Sequence, residues 1–295
     1  MEIRAFAKIN LMLDILGKTD DGYHNLFMVM QSIGIYDDVT VELSGKANQI
    51  ELTCSNSALP VDKSNIAHKA AKAFFDYYNT NSLNPRKTNP GIKIHIEKNI
   101  PFAAGLAGGS ADAAAVIFGL NEILSAGLDI EELCAIGVKV GADVPFCLKG
   151  GTMIAQDIGQ VLSPLPPIKN DYIVLVKPDQ DVSTKAAYDA FDTAENIRHC
   201  DTTGITHALA NKRPYYSYIQ NVFEQFVEVP DRVDIKATMR SFNAKATCMS
   251  GSGPSVYGIF DSEIKARSCM NALLSRYQNT FLITPVNHGL DVLKK

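Results

Sequence analysis

The chain has 295 residues, 46% of them hydrophobic and 20% charged, with a formal net charge of −4. These are ordinary globular values, and a weakly acidic balance gives no electrostatic footprint for nucleic acid or an anionic membrane surface. No run reaches the roughly 20 apolar residues of a membrane span, and Glu2, Arg4, Lys8 and Asp14 interrupt the apolar N-terminal stretch, so no signal peptide is expected there.

Residues 5–15 alternate strictly. Ala7, Ile9, Leu11, Leu13 and Ile15 share one face, and Lys8, Asn10, Met12 and Asp14 the other. Period two predicts a half-buried strand with Lys8 and Asn10 side by side, about 7 Å apart by the strand rise. Residues 18–22 read as a polar turn, and strands are expected at 27–33, 38–43 and 49–53. A helix over 66–78 leads into a polar loop, 79–91, with two prolines. Residues 92–98 alternate again and deliver the chain to a glycine-rich segment, followed by an amphipathic helix over 112–124. Asp129 and Glu132 form a capping-box pattern opening another helix that ends before Gly141. Pro164, Pro166 and Pro167 mark the expected domain boundary, giving domains 1–160 and 161–295. A buried strand at 172–176, a polar helical section through Asn221, an apolar stretch at 246–260 around a glycine turn, a helix at 264–278 and a last strand at 281–286 complete the chain. The mixed order predicts an α+β fold. The six cysteines include no C-x-x-C pair and are expected to be reduced, mostly buried thiols; the six histidines show no metal-ligand spacing.

The glycine-rich segment, 99–118, reads NIPFAAGLAGGSADAAAVIF. A strand end, a bare loop and a helix start offer unpaired backbone N–H groups and a positive dipole end, and small side chains let a phosphate approach. The loop is not a Walker A loop, since Gly109-Ser110-Ala111 lacks the lysine, and Met12 spoils the imitation ending in Gly17-Lys18-Thr19. Gly251-Ser252-Gly253 begins a dinucleotide fingerprint that Val256 ends, and the protein-kinase signatures are absent.

Residues Pro101 to Ala114 resemble P-x-x-x-G-L-x-G-G-S-[SA]-[DN]-A-A, the ATP loop of the GHMP kinases. The blocks Ala5–Leu11, Gly22–Leu26, Met30–Ile33, Gly141–Phe146 and Met249–Pro254 are similar to the branch of that superfamily that phosphorylates a cytidine-diphosphate sugar alcohol. The resemblance runs through nearly the whole chain. It implies a two-domain GHMP kinase fold, with an N-terminal ribosomal-protein-S5-like domain 2 fold and a C-terminal α+β sandwich carrying substrate and lid functions. It also implies ATP-dependent phosphorylation of the substrate's 2-hydroxyl in non-mevalonate isoprenoid precursor synthesis, with Mg²⁺. Lys8 and Asp143 would be the catalytic pair: Asp143, in an apolar setting, as base, and Lys8 as the charge beside it and the transferring phosphoryl group. ATP binding is expected at Asn65, Lys98, Pro101, Phe102, Ala103, Ala104, Gly105, Leu106, Ala107, Gly108, Gly109, Ser110 and Ala111, with the Ser110 hydroxyl able to reach Mg²⁺. Substrate binding is expected at Asn10, Tyr23, His24, Ser183, Thr184 and Tyr188, with Tyr23 and Tyr188 as flat surfaces for cytosine and His24 at its polar edge.

The chain departs from the family at Asp157 and Gln160, where Gly and Glu are usual, and at Val222-Phe223, where Asp-Leu is usual. These departures bear on local loops. A homoserine- or mevalonate-type GHMP kinase is the alternative enzyme, and a non-catalytic nucleotide-binding homologue the alternative class. A cytoplasmic monomer or weak homodimer with a small-molecule substrate, and neither nucleic acid nor membrane as partner, is expected.

Overall fold

The computed structural model describes residues 1–19, 22–81 and 88–295. Asp20 and Asp21 of the expected turn, and residues 82–87 of the expected loop, lie outside that set. In chain order the elements are β1 (Glu2–Lys18), β2 (His24–Ser44), β3 (Ile50–Cys54), α1 (Ile66–Asn81), β4 (Gly91–Glu97), α2 (Gly108–Ile123), α3 (Ile130–Val138), α4 (Val144–Lys149), β5 (Thr152–Asp157) and β6 (Val161–Pro164). There follow β7 (Tyr172–Val176), α5 (Thr184–Asp192), α6 (Thr202–Ala210), β8 (Gln220–Asn221), α7 (Arg232–Ser241), β9 (Ala246–Met249), β10 (Val256–Phe260), α8 (Glu263–Leu274), β11 (Thr280–Ile283) and β12 (Leu290–Lys294).

The strands form two sheets, one of eight strands around the path β12-β1-β2-β4-β3 and one of four in the order β11-β7-β10-β9. The two strands expected at 27–33 and 38–43 are one long strand, β2. Its first half pairs with β5 and its second with β4 on the same edge, while β1 runs along the other. A register shift opposite Phe6 and Ala7 lets both halves stay in the sheet. Sheet membership does not follow the 160/161 division: β6, β8 and β12 all belong to the first sheet. β12 has no counterpart among the expected elements. It is a short edge strand whose partner, β1, lies at the other end of the chain, so no local pattern announces it.

The half-buried reading of β1 is corrected. Lys8, Asn10 and Asp14 are as buried as the apolar residues alternating with them. A helical layer with α2 covers one face. Residues of the second half cover the other: the Tyr257 hydroxyl donates to the Asn10 carbonyl at 2.8 Å, and Asp14 accepts from the Cys200 amide at 2.9 Å. α2 is likewise not amphipathic. From Ala111 to Ile117 every residue is buried, because alanines allow α1, α4 and the sheet to close around it. The capping box at Asp129 and Glu132 is present, with both reciprocal hydrogen bonds. The six cysteines are free, and four of them are buried.

Candidate active site

The loop between β4 and α2 has an unusual backbone. Ala103, Gly105 and Ala107 adopt positive φ of 50°, 74° and 58°, alternating with residues of negative φ. Such alternation turns successive N–H groups toward one concavity, a nest for anions. Ala107 is the N-cap of α2 and provides no side-chain hydrogen bond to it, which leaves the first-turn amides free for a ligand. A second glycine turn props this loop. The Ser250 hydroxyl donates to the Gly105 carbonyl at 2.9 Å. A Cβ on Gly105 would sit 2.3 Å from the Ser250 carbonyl oxygen, so position 105 needs glycine for space as well as for φ. The Ser250–Gly253 turn is itself tied to β1 and β8: Gly251 N–H donates to Asn10 Oδ1 at 3.0 Å, and Asn221 Nδ2 donates to the Met249 and Gly251 carbonyls at 2.8 and 2.7 Å.

A cleft of about 340 Å³ opens beside the nest. Of the residues expected to bind ATP, Asn65, Lys98 and 101–109 line it, while Ser110 and Ala111 do not. Ala111 is fully buried, since the helix turns it into the core. Ser110 instead faces Gly141, its Oγ 3.8 Å from where a Cβ there would lie. Asn65 caps α1, accepting from Ala67 N–H at 2.9 Å and donating to the Pro60 carbonyl at 2.6 Å. Leu59, Pro60, Ser64 and Asp112 are lining residues that sequence reasoning missed. Lys98 is not an exposed strand-end lysine. It is buried between Asp37 and Asp112, bonded to both, at 2.7 Å to the latter. Burial pulls the Lys98 pKa down, but the two carboxylates outweigh it and leave it raised. Burial also pushes the Asp112 carboxyl well up, Lys98 opposing and Asp37 assisting. Asp112 Oδ1 has no hydrogen-bond partner.

Lys8 and Asp143 meet as expected. Lys8 Nζ lies 3.6 Å from Asp143 Oδ2 and donates to Asn10 Oδ1 at 2.7 Å, and the Lys8 amide donates to the Leu106 carbonyl of the nest at 3.0 Å. Asp143 is 30% exposed, not desolvated as its apolar neighbours suggest. Val144, Pro145 and Phe146 turn inward as α4 begins and leave the carboxylate on the open side.

The expected substrate residues divide. His24 stacks on Tyr188, ring centroids 4.5 Å apart and planes at 27°, and Phe223 packs edge-on against Tyr188 at 5.1 Å. Burial raises the Tyr188 phenol to about 12, with a smaller rise from the Asp143 charge. Thr184 Oγ1 lies 3.0 Å from Ser252 Oγ. Ser183 caps α5, accepting from the Ala186 amide at 3.3 Å. Tyr23 is 61% exposed. The departures at 157 and 160 answer each other: Gln160 Nε2 donates to Asp157 Oδ2 at 2.6 Å across the β5–β6 turn. Asn221 of the third departure block anchors the glycine turn, with Val222 and Phe223 buried behind it. Among the described residues no group of three or more His, Cys, Asp or Glu could hold a metal ion, and no helix is long and apolar enough to cross a membrane.

Two family models match the chain: the GHMP kinases N terminal domain over residues 65–151 and the GHMP kinases C terminal domain over 207–279. The 4-diphosphocytidyl-2-C-methyl-D-erythritol kinase of Clostridium tetani (strain Massachusetts / E88) is 42% identical over 287 residues, 96% of this chain and 99% of that protein. That of Clostridium beijerinckii (strain ATCC 51743 / NCIMB 8052) is 40% identical over 286 residues, with the same coverage. A crystal structure of 4-(cytidine 5'-diphospho)-2C-methyl-D-erythritol kinase superposes with a TM-score of 0.76 at 29% identity, covering 97% of this chain and 99% of that one. The homoserine kinase of Cytophaga hutchinsonii ATCC 33406, at 18% identity and TM-score 0.74, shares the fold. With both family models matched, and relatives about 40% identical along almost its whole length, the chain belongs to the GHMP kinase family, in its 4-diphosphocytidyl-2-C-methyl-D-erythritol kinase branch.

Proposed function

We infer that this chain is an ATP-dependent kinase that phosphorylates the 2-hydroxyl of 4-(cytidine 5'-diphospho)-2-C-methyl-D-erythritol, in non-mevalonate isoprenoid precursor synthesis. The observation that carries the reading is the position of the Lys8–Asp143 pair. Lys8 touches the amide nest through its own backbone, and its ammonium stands against Asp143. A phosphoryl donor and an alcohol would therefore meet at these two side chains. The nest and the start of α2 hold the donor's phosphates. Asp143 accepts the proton of the attacking hydroxyl. Lys8, fixed by Asn10, stands beside that carboxylate and offsets charge on the transferring group.

Mg²⁺ fits this arrangement as part of the nucleotide complex. It keeps several waters and takes only one or two protein oxygens beside substrate phosphates, so the absence of a ligand cluster among the described residues does not oppose it. Ser110, at the first turn of α2 opposite Gly141, and Asp143 are the residues that would reach it. When bound, the ion neutralises phosphate charge. The free cysteines support a reducing, cytoplasmic setting, and a monomer or weak homodimer completes the reading.

An ADP-release assay tests it. The cytidine-diphosphate substrate should support turnover, and homoserine or mevalonate should not. Turnover on either of the latter, with none on the cytidine compound, would overturn the reading.

A further inference from the structure

Asp192, the last residue of α5, meets both His24 and Lys18. Its Oδ1 lies 2.8 Å from His24 Nε2, and its Oδ2 accepts from Lys18 Nζ at 2.7 Å. Nothing in the sequence drew attention to it, since an Asp at a helix end is ordinary. Hydrogen bonds from Lys18 and His24 hold its carboxyl below the usual range. An ionised carboxylate only accepts hydrogen bonds. A neutral imidazole facing it therefore carries its proton on Nε2 and keeps a lone pair on Nδ1. Among the described residues, His24 Nδ1 has no hydrogen-bond partner. The ring cannot readily turn, because Tyr188 stacks on it and Phe191 meets it edge-on at 6.1 Å. One helix, α5, thus fixes both the orientation and the tautomer of His24.

The two pyrimidines differ where this matters. Cytosine presents an exocyclic amine, a donor, where uracil presents a carbonyl, an acceptor. An acceptor at Nδ1 pairs with the first and repels the second. We propose that Asp192 is a positioning residue for base specificity: by keeping the His24 proton on Nε2, it makes Nδ1 an acceptor and selects the cytidine-diphosphate substrate over its uridine-diphosphate analogue. The proposal rests on the reading of His24 as the residue at the cytosine edge.

Lys18 makes the idea sharper. An ammonium group can only donate. In Asp192→Asn, Lys18 captures the amide oxygen and turns the amide NH₂ toward His24 Nε2. The imidazole proton then moves to Nδ1, which becomes a donor. In the double variant Lys18→Met/Asp192→Asn the amide is free to turn its oxygen back to His24, and the original tautomer returns.

The experiment measures kcat and KM for the cytidine substrate, its uridine analogue and ATP, in wild type, Asp192→Asn and the double variant. Long-range ¹⁵N–¹H NMR of the His24 ring reports the tautomer directly, whether or not a variant is active. Asp192→Asn should cut the cytidine-over-uridine preference by about tenfold or more. The change should fall on the pyrimidine-nucleotide KM values, with kcat and the KM for ATP unchanged. The double variant should recover much of the preference. Wild type should show the Nε2–H tautomer. A wild-type Nδ1–H signal, an unchanged preference in Asp192→Asn, or no recovery in the double variant would each overturn the proposal. A wild type that uses the cytidine substrate without preferring it to uridine would instead refute His24 as the base contact and take the proposal with it. No turnover of the cytidine substrate at all would refute the functional reading beneath both.

Discussion

The nest beside the cleft and the side-chain cluster around His24 are built from different materials. The end proposed for the nucleotide is made of backbone: three positive-φ residues, a helix start and the near absence of side chains, all within one short run of sequence. The end proposed for the cytidine is made of side chains, and they come from far apart: Lys18 and His24 around the β1–β2 connection, Tyr188 and Asp192 on α5, and Phe223 just beyond β8. Phosphates ask for N–H groups and room, which local backbone geometry can supply alone. A pyrimidine edge asks for particular donor and acceptor atoms, which only the folded chain can bring together. In the proposed reaction Lys8 and Asp143 join the two ends.

The strongest test of that join is Asp143→Asn. Size is kept and the proton acceptor removed, so turnover should fall by about 10²–10⁴-fold while calorimetric ATP binding stays near normal. Wild-type turnover would remove Asp143 from the chemistry.

Lys98→Met attacks the floor of the nucleotide end. It leaves Asp37 and Asp112 buried together without their cation, and should cost about 3–5 kcal/mol of stability in denaturant unfolding. The deficit should depend on pH. Burial already raises the Asp112 carboxyl and Lys98 lowers it, so losing Lys98 raises it further. A carboxyl with a raised folded-state pKa loses its contribution as pH rises through that value. The variant should therefore lag wild type more at mildly alkaline than at mildly acidic pH, and a deficit independent of pH would contradict the buried-triad account.

Gly105→Ala tests the nest itself. The new methyl would collide with the Ser250 carbonyl in a backbone conformation alanine resists. About 1–3 kcal/mol of strain should appear as weaker ATP binding, with the cytidine KM little changed. Normal ATP affinity in a folded variant would mean that the phosphates lie elsewhere. The smallest effect belongs to the other end. Tyr188→Ala should raise the cytidine KM by the loss of a ring contact worth about 0.5–1.5 kcal/mol beyond area burial, leaving the KM for ATP alone. A rise in the ATP value instead would collapse the distinction between the two ends.

This division also explains what could be read from the sequence. The glycine loop, the capping box at Asp129 and the Lys8–Asp143 pair were legible because each is a short run of residues whose types have local consequences, or a motif a resemblance can carry. The positive φ falls on Ala103 and Ala107 as well as Gly105, which composition does not reveal, since alanine rarely adopts it. Asp37 and Asp192 went unnoticed, and Asp112 was read only as a motif position, because their roles depend on partners distant in the chain. The burial of Lys8, Asn10 and Asp14 was hidden for the same reason: alternation shows that a strand has two kinds of face, but not that a later part of the chain covers the polar one.

Glu2 pairs with Lys294, and Ala5 with Leu290. β1 is made long before β12, yet one of its edges finds this strand partner only when residues 290–294 have been made. Until then that edge presents unpaired N–H and C=O groups to any extended chain nearby, and contacts this remote in sequence form slowly. The synthesis of β12, more than the docking of successive halves, is the event that closes this edge. A shortened chain lacking β12 should keep its glycine loop and its paired β1–β2 ribbon, but should self-associate through the edge that β12 normally covers.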